Sequence, residues 1–68
     1  MLVAETGEGD VIAIEVKAAS SYSAGQFAGL AHIRDRVGER FVAGIVLGTA
    51  DHGYRYADRL YGAPISAL

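Results

Sequence analysis

The chain has 68 residues, a formal net charge of −2 at pH 7 and no cysteine. This length allows one small domain that buries only about 60% of the surface its unfolded form exposes, and the lack of cysteine excludes disulfides and thiolate zinc sites. The negative net charge argues against a basic surface that binds nucleic acid. Since the sequence shows neither a signal peptide nor a membrane-spanning run, we expect a cytoplasmic protein without a membrane partner.

The first predicted element is a β-hairpin. A short apolar stretch at residues 2–5 leads into a polar loop at residues 6–10 with two glycines, which is typical of four- to five-residue hairpin loops. Residues 11–17 then form a strand rich in β-branched side chains. Because its apolar run is nearly continuous, we expect a central strand that is covered on both faces.

The second predicted element is a helix that begins after Ser23. Ser23 and Gln26 have the spacing of a capping box, and Gly38 suits the position just beyond the helix C-terminus. Gly29, inside the helix, costs about 1 kcal/mol relative to alanine and indicates a close approach of the helix to a sheet. Helical spacing recurs at Phe27, Leu30, Ile33 or Arg34, and Val37.

A second apolar strand at residues 41–47 completes a strand–helix–strand unit. Short connections predict parallel strands joined by a right-handed crossover. After a turn at residues 49–53, residues 54–56 and 60–63 predict a closing hairpin or an edge strand, with Pro64 at a sheet edge or strand end. Residues 65–68 have the pattern of the start of another element. The expected fold class is therefore α/β, with residues 1–68 as a single domain.

Glu15 and Lys17 are the candidate functional residues. They are two apart on a strand and so share one face, where a charge is costly to bury unless it is paired or functional. Glu-x-Lys is half of a device in which two carboxylates hold Mg²⁺ and a lysine orients the attacking water. Pairing Glu5 with Val11 puts Met1 opposite Glu15, so the second carboxylate belongs at or next to position 1. On the motif alone, a solvated strand face is the more frequent interpretation.

The remaining candidates have simpler interpretations. We expect His32 at the surface or its boundary and His52 exposed in a turn, each without a catalytic partner. The charges of residues 34–40 fit the solvated face and C-terminal end of a helix. The tyrosines suggest a base-stacking platform but fit better as strand residues that cover the core: Tyr54, Tyr56 and Tyr61.

Several segments together resemble one bacterial family. In chain order they read IEVKA (14–18), FAGL (27–30), RD (34–35), GERF (38–41), DRL (58–60) and PISAL (64–68). They are similar to the C-terminal domain of unknown function that follows an AAA-type ATPase module in bacterial ATP-binding proteins. The resemblance covers nearly all of the chain. It implies a PD-(D/E)xK, restriction-endonuclease-like fold, of which residues 1–68 are a C-terminal part with a β-hairpin, a βαβ crossover and a short C-terminal β segment.

The resemblance also implies roles for Glu15 and Lys17, which match the family's E-x-K. Glu15 would be a metal ligand only if a second acid were supplied, and Mg²⁺ would be a cofactor only of a complete parent. The family's first acidic residue falls at Met1 or upstream, and neither an ATPase module nor a phosphate-binding loop has a match. We therefore expect a non-catalytic fragment without a cofactor, whose complete parent alone would bind nucleic acid and hydrolyse phosphodiesters.

Two alternatives remain open. The chain could be a small interaction module that self-associates or docks on another protein through an exposed apolar sheet face. It could also be the product of a decayed gene remnant without a function.

Overall fold

The computed structural model describes residues 1–18 and 20–67, which form an α/β fold of one five-stranded mixed sheet and one α-helix. The sheet order is β1-β2-β3-β5-β4; β2, β3 and β5 are parallel, and β1 and β4 run antiparallel to their neighbours. None of the described helices has the length and apolar character to cross a bilayer. The elements are β1 (Leu2–Glu5), β2 (Val11–Val16), α1 (Ala24–Val37), β3 (Phe41–Gly48), β4 (Tyr54–Ala57) and β5 (Leu60–Pro64).

The predicted first hairpin and its register are confirmed. Glu5 pairs with Val11 and Leu2 with Ile14. Within the loop, the Thr6 hydroxyl accepts hydrogen bonds from the backbone N–H groups of Glu8 and Asp10, at 3.3 and 3.1 Å. Gly9 has a φ of 90°, a conformation that glycine adopts without strain.

Helix α1 begins and ends where the sequence predicts. At its start, Oε1 of Gln26 accepts a hydrogen bond of 3.0 Å from the backbone N–H of Ser23, which is the glutamine half of a capping box. At its end, Gly38 has a φ of 73°. A short 3-10 turn, Gly38–Arg40, then leads directly into β3.

The core lies between α1 and one face of the sheet, and a strand glycine permits its close packing. A Cβ at Gly44 of β3 would lie 2.9 Å from Cδ2 of Leu60 and 3.2 Å from Cβ of Leu30. The largest fully buried side chains are Phe27, Phe41, Leu30, Leu60 and Val46. The prediction that Gly29 marks the close approach is therefore wrong. Gly29 is exposed, and a Cβ there would meet only Cε of Met1, at 3.0 Å.

The prediction that β2 is covered on both faces is also wrong for the described chain. Val11 and Ala13 are buried beneath α1, but the alternating side chains Ile12 and Ile14 are only partly buried, and Val16 is 63% exposed. The helix covers one face, and the opposite face has no second layer within residues 1–18 and 20–67.

The C-terminal segment forms a hairpin whose second strand lies inside the sheet. Strand β4 is at the edge, and β5 lies between it and β3, with Pro64 at the end of β5. The side chain of Arg59, at a φ of 57°, donates hydrogen bonds to the carbonyls of Gly38 (2.9 Å) and Phe41 (2.8 Å). The hairpin turn is thereby tied to the end of the helix. The last described element is a 3-10 turn, Ile65–Ala67; Leu68 lies outside the described residues.

Tyr22 covers the middle of β5, where Gly62 leaves room for its ring. A Cβ at Gly62 would lie 2.6 Å from Cζ of Tyr22. The Tyr22 hydroxyl donates a 2.8 Å hydrogen bond to the carbonyl of His52, so the ring joins the loop after β2 to the loop after β3.

We expect Gly62→Ala to lower the free energy of unfolding by about 1–3 kcal/mol, because the added methyl group overlaps the Tyr22 ring. In a Tyr22→Ala background the same change should cost less than about 0.5 kcal/mol, which is the coupling that a double-mutant cycle detects. Urea unfolding of the four chains measures both values. An equal cost in both backgrounds would show that the ring does not limit position 62.

Candidate functional site

Glu15 and Lys17 come together as the sequence predicts. Nζ of Lys17 lies 3.0 Å from Oε1 of Glu15, and the amino nitrogen of Met1 lies 3.4 Å from Oε2. The Glu15 side chain is 18% exposed and that of Lys17 is 45% exposed. The carboxylate is thus partly sheltered between two positive groups.

The pair lies at the carboxyl end of β2, on the face that α1 covers. Glu15 is beside Val46 of β3 in the parallel ladder. The backbone N–H of Lys17 donates to the carbonyl of Leu47 at 2.8 Å, so the strand pairing continues past Val16 and fixes the backbone at the lysine. In open α/β sheets, ligand sites form outside the carboxyl ends of the strands. The placement is therefore one at which a binding site commonly occurs.

The pKa of Glu15 lies below its ordinary value of 4.5, chiefly because Lys17 donates a hydrogen bond to its carboxylate. Partial desolvation opposes this shift, and the positive charge of the amino terminus adds to it. The lowered pKa favours the ionised form of Glu15, whose carboxylate accepts the hydrogen bond from Lys17.

The position beside Glu15 holds methionine. Since Leu2 pairs with Ile14 in the antiparallel register, the preceding residue, Met1, is next to Glu15. A methionine thioether is a soft ligand, whereas Mg²⁺ takes oxygen ligands. In residues 1–18 and 20–67, no group of three or more His, Cys, Asp and Glu side chains is arranged to hold a metal ion.

The two histidines are separate from this pair. His32 is exposed on α1, and the His52 side chain is 63% exposed, as expected from the sequence. His52 has a carboxylate neighbour that sequence reasoning missed, because Nδ1 lies 3.0 Å from Oδ1 of Asp51. The Asp51 pKa is lowered, mainly by this contact and then by a hydrogen bond with its own backbone.

The tyrosines mostly form part of the core covering. Tyr56 stacks on the buried Phe27 ring with centroids 4.3 Å apart, and Tyr54 stacks on Tyr22 at 5.4 Å. Tyr61 pairs with Ile45 on the opposite face of the sheet. The three strand tyrosines therefore do not form one platform. The sequence did not predict that Tyr22 packs with these aromatic rings. The one sequence feature related to its position is Gly62, which lies 40 residues further along the chain and makes room for its ring.

Part of the charged segment at residues 34–40 has structural partners instead of facing only solvent. The guanidinium of Arg34 donates to the carbonyl of Asp58 at 3.0 Å, and that of Arg40 donates to the carbonyl of Glu8. With Arg59, these arginines bind the turns of both hairpins to the C-terminal end of α1. Asp35, Arg36 and Glu39 are exposed, as predicted.

The chain matches a known protein family over its whole length. A family model described as "Domain of unknown function (DUF4143)" matches residues 1–68. No curated protein and no solved structure matches the chain.

We expect Lys17→Met to raise the pKa of Glu15 toward 4.5, because the change removes the hydrogen bond that lowers it most. A carboxyl with a lowered folded pKa stabilises the fold above its unfolded pKa, and this contribution is lost as pH falls through the folded value. Stability should therefore fall less steeply below pH 4.5 in Lys17→Met than in the unchanged chain.

Carboxyl-detected NMR titration measures this pKa directly. Lys17→Arg, which keeps a donor and a positive charge, should retain most of the shift. Asp51 is an internal control, since its pKa depends on His52 and should not move. An unchanged Glu15 pKa in Lys17→Met would show that the ion pair does not persist in solution.

Proposed function

Because the chain belongs to the family of the domain of unknown function DUF4143, we propose that it is a nuclease-like scaffold that does not cleave phosphodiesters by itself. In this proposal Glu15 and Lys17 occupy the positions of the metal-binding carboxylate and the water-orienting lysine of the PD-(D/E)xK fold. The chain is then the C-terminal part of a domain that follows an AAA-type ATPase module in a complete parent.

The order of elements supports the proposed relationship. An antiparallel hairpin carries E-x-K at the end of its second strand, and a helix then connects that strand to a parallel neighbour. The proposed site lies on the helix-covered face and at the carboxyl end of β2. The same scaffold can persist without chemistry, because a fold does not by itself imply an activity.

One observation carries the non-catalytic part of the proposal, namely that the register of β1 on β2 puts Met1 beside Glu15. A two-carboxylate Mg²⁺ site needs an acid at this position. The residues present do not fit that ion, because the Met1 side chain beside Glu15 supplies no oxygen ligand and Oε1 of Glu15 is already paired with the Lys17 ammonium group. We therefore propose no metal-dependent step for this chain.

The proposal predicts that restoring one acid creates a metal site. The variants Met1→Asp and Met1→Asn are made in a chain lengthened by one N-terminal residue, so that translation starts upstream. We expect Met1→Asp to bind Mn²⁺ at least about tenfold more tightly than Met1→Asn, because adjacent carboxylates on paired strands can share a hard cation. Titration followed by the EPR signal of free Mn²⁺ measures the affinities. Adding Glu15→Gln to Met1→Asp should abolish the gain.

Two results would contradict the proposal. Equal Mn²⁺ affinity of the Asp and Asn variants, with both folded by circular dichroism, would show that position 1 does not complete a site with Glu15. Metal-dependent cleavage of DNA or RNA by the unchanged chain, abolished by Lys17→Ala, would show that the chain is catalytic as it stands.

A further inference from the structure

Within residues 1–18 and 20–67, the sheet face opposite α1 is apolar and has no α-helix packed on it. The strand register places six large aliphatic side chains on it, Leu2, Ile12, Ile14, Val16, Ile45 and Leu47. Leu2 and Val16 are each 63% exposed, Leu47 is 6% exposed, and the three isoleucines are partly buried. An open groove of about 560 Å³, lined by Met1 and four of these aliphatic side chains, lies at the end of the face where β1 meets β2.

A bare face of this kind contrasts with what all-parallel sheets show. Such sheets occur almost only with both faces covered, and their strands then read as continuous apolar runs, as the parallel strand β2 of this mixed sheet does. The sequence of β2 has this run, and yet α1 covers only one side of it. A contiguous apolar surface on a soluble chain marks an interaction site or a liability to aggregate.

We propose that this face is the interface of a dimer in which two copies of the chain pack sheet against sheet. The area is sufficient for that partner. The molecule has two layers and extents of 33 × 22 × 17 Å, so that one broad face carries on the order of a fifth of its 4242 Å² of accessible surface. The area of this face is therefore close to the roughly 800 Å² per partner that stable interfaces bury.

The charge distribution also favours a second copy. In a twofold dimer, the same surface patch of both copies packs together. A charged side chain near the twofold axis would therefore meet the like charge of the second copy or lose its solvation. Among the described strand residues, the register places one charged side chain on this face, Arg55, and it lies on the edge strand β4. The remaining side chains can interdigitate at the spacing of about 10 Å that packed sheets adopt.

The oligomeric state of the whole chain tests this inference. We expect light scattering and sedimentation to give twice the chain mass of 7.1 kDa. The measurements extend to a chain concentration of about 1 mM, which exceeds the micromolar dissociation constants of weak interfaces of this size. Val16→Lys and Leu2→Lys should each weaken dimerisation by at least about tenfold, because either lysine would be buried without a partner. Both positions are exposed in the single chain, so the monomer should keep its fold.

Val3→Lys is the matched control. Val3 is 52% exposed on the neighbouring position of β1 but pairs with Ala13, on the face that α1 covers. It should leave the dimer intact. Two results would overturn the proposal. A folded monomer at all concentrations would mean that a different partner covers the face. A dimer that Val3→Lys weakens as much as Val16→Lys does would place the interface at the β1 edge. The test does not depend on Glu15 and Lys17 and so is separate from the proposed function.

Discussion

The close contact of α1 with the centre of the sheet determines the rest of the architecture. It depends on the missing side chain at Gly44, since the rings and methyl groups of the core meet in the space above that residue. Three of the fully buried side chains come from different elements and converge there: Leu30, Phe41 and Leu60. Because one helix and one face of the sheet supply most of this core, Glu15 lies at the rim of the covered face, and no α-helix in the described part of the chain packs on the other face.

The features that the sequence predicts well are local or follow from pairing geometry. The Thr6–Asp10 loop fixes the hairpin register, and with it the neighbour of Glu15, because antiparallel strands joined by a loop of known length have only one arrangement that keeps each side chain on its face. The start of α1 at Ser23 and its end at Gly38 depend on residues within the same turn. The pairing of Glu15 with Lys17 follows from a spacing of two along a strand.

The features that the sequence did not reveal depend on residues far apart in the chain. Arg59 looks like an ordinary exposed turn residue until the fold brings the carbonyls of Gly38 and Phe41 within reach of its guanidinium. The sequence predicted the close approach at Gly29, whereas the three-dimensional arrangement has it at Gly44. Likewise, a continuous apolar run indicates that a strand suits burial on both faces, but it cannot specify whether the second covering layer lies in the same chain.

The position of β5 inside the sheet divides the protein into two parts that differ in local stability. Strands β2 and β3 share most of the core with α1, whereas the hairpin of β4 and β5 is joined to them by one parallel ladder, the Leu60 side chain, the stacking of Tyr56 on Phe27 and the contacts of three further side chains, Arg34, Arg59 and Tyr22. Contiguous units with few buried contacts open before the whole protein unfolds. We therefore expect the boundary between β3 and β5 to open first, so that the amide hydrogens of the last hairpin exchange with solvent while the crossover unit of β2, α1 and β3 stays closed.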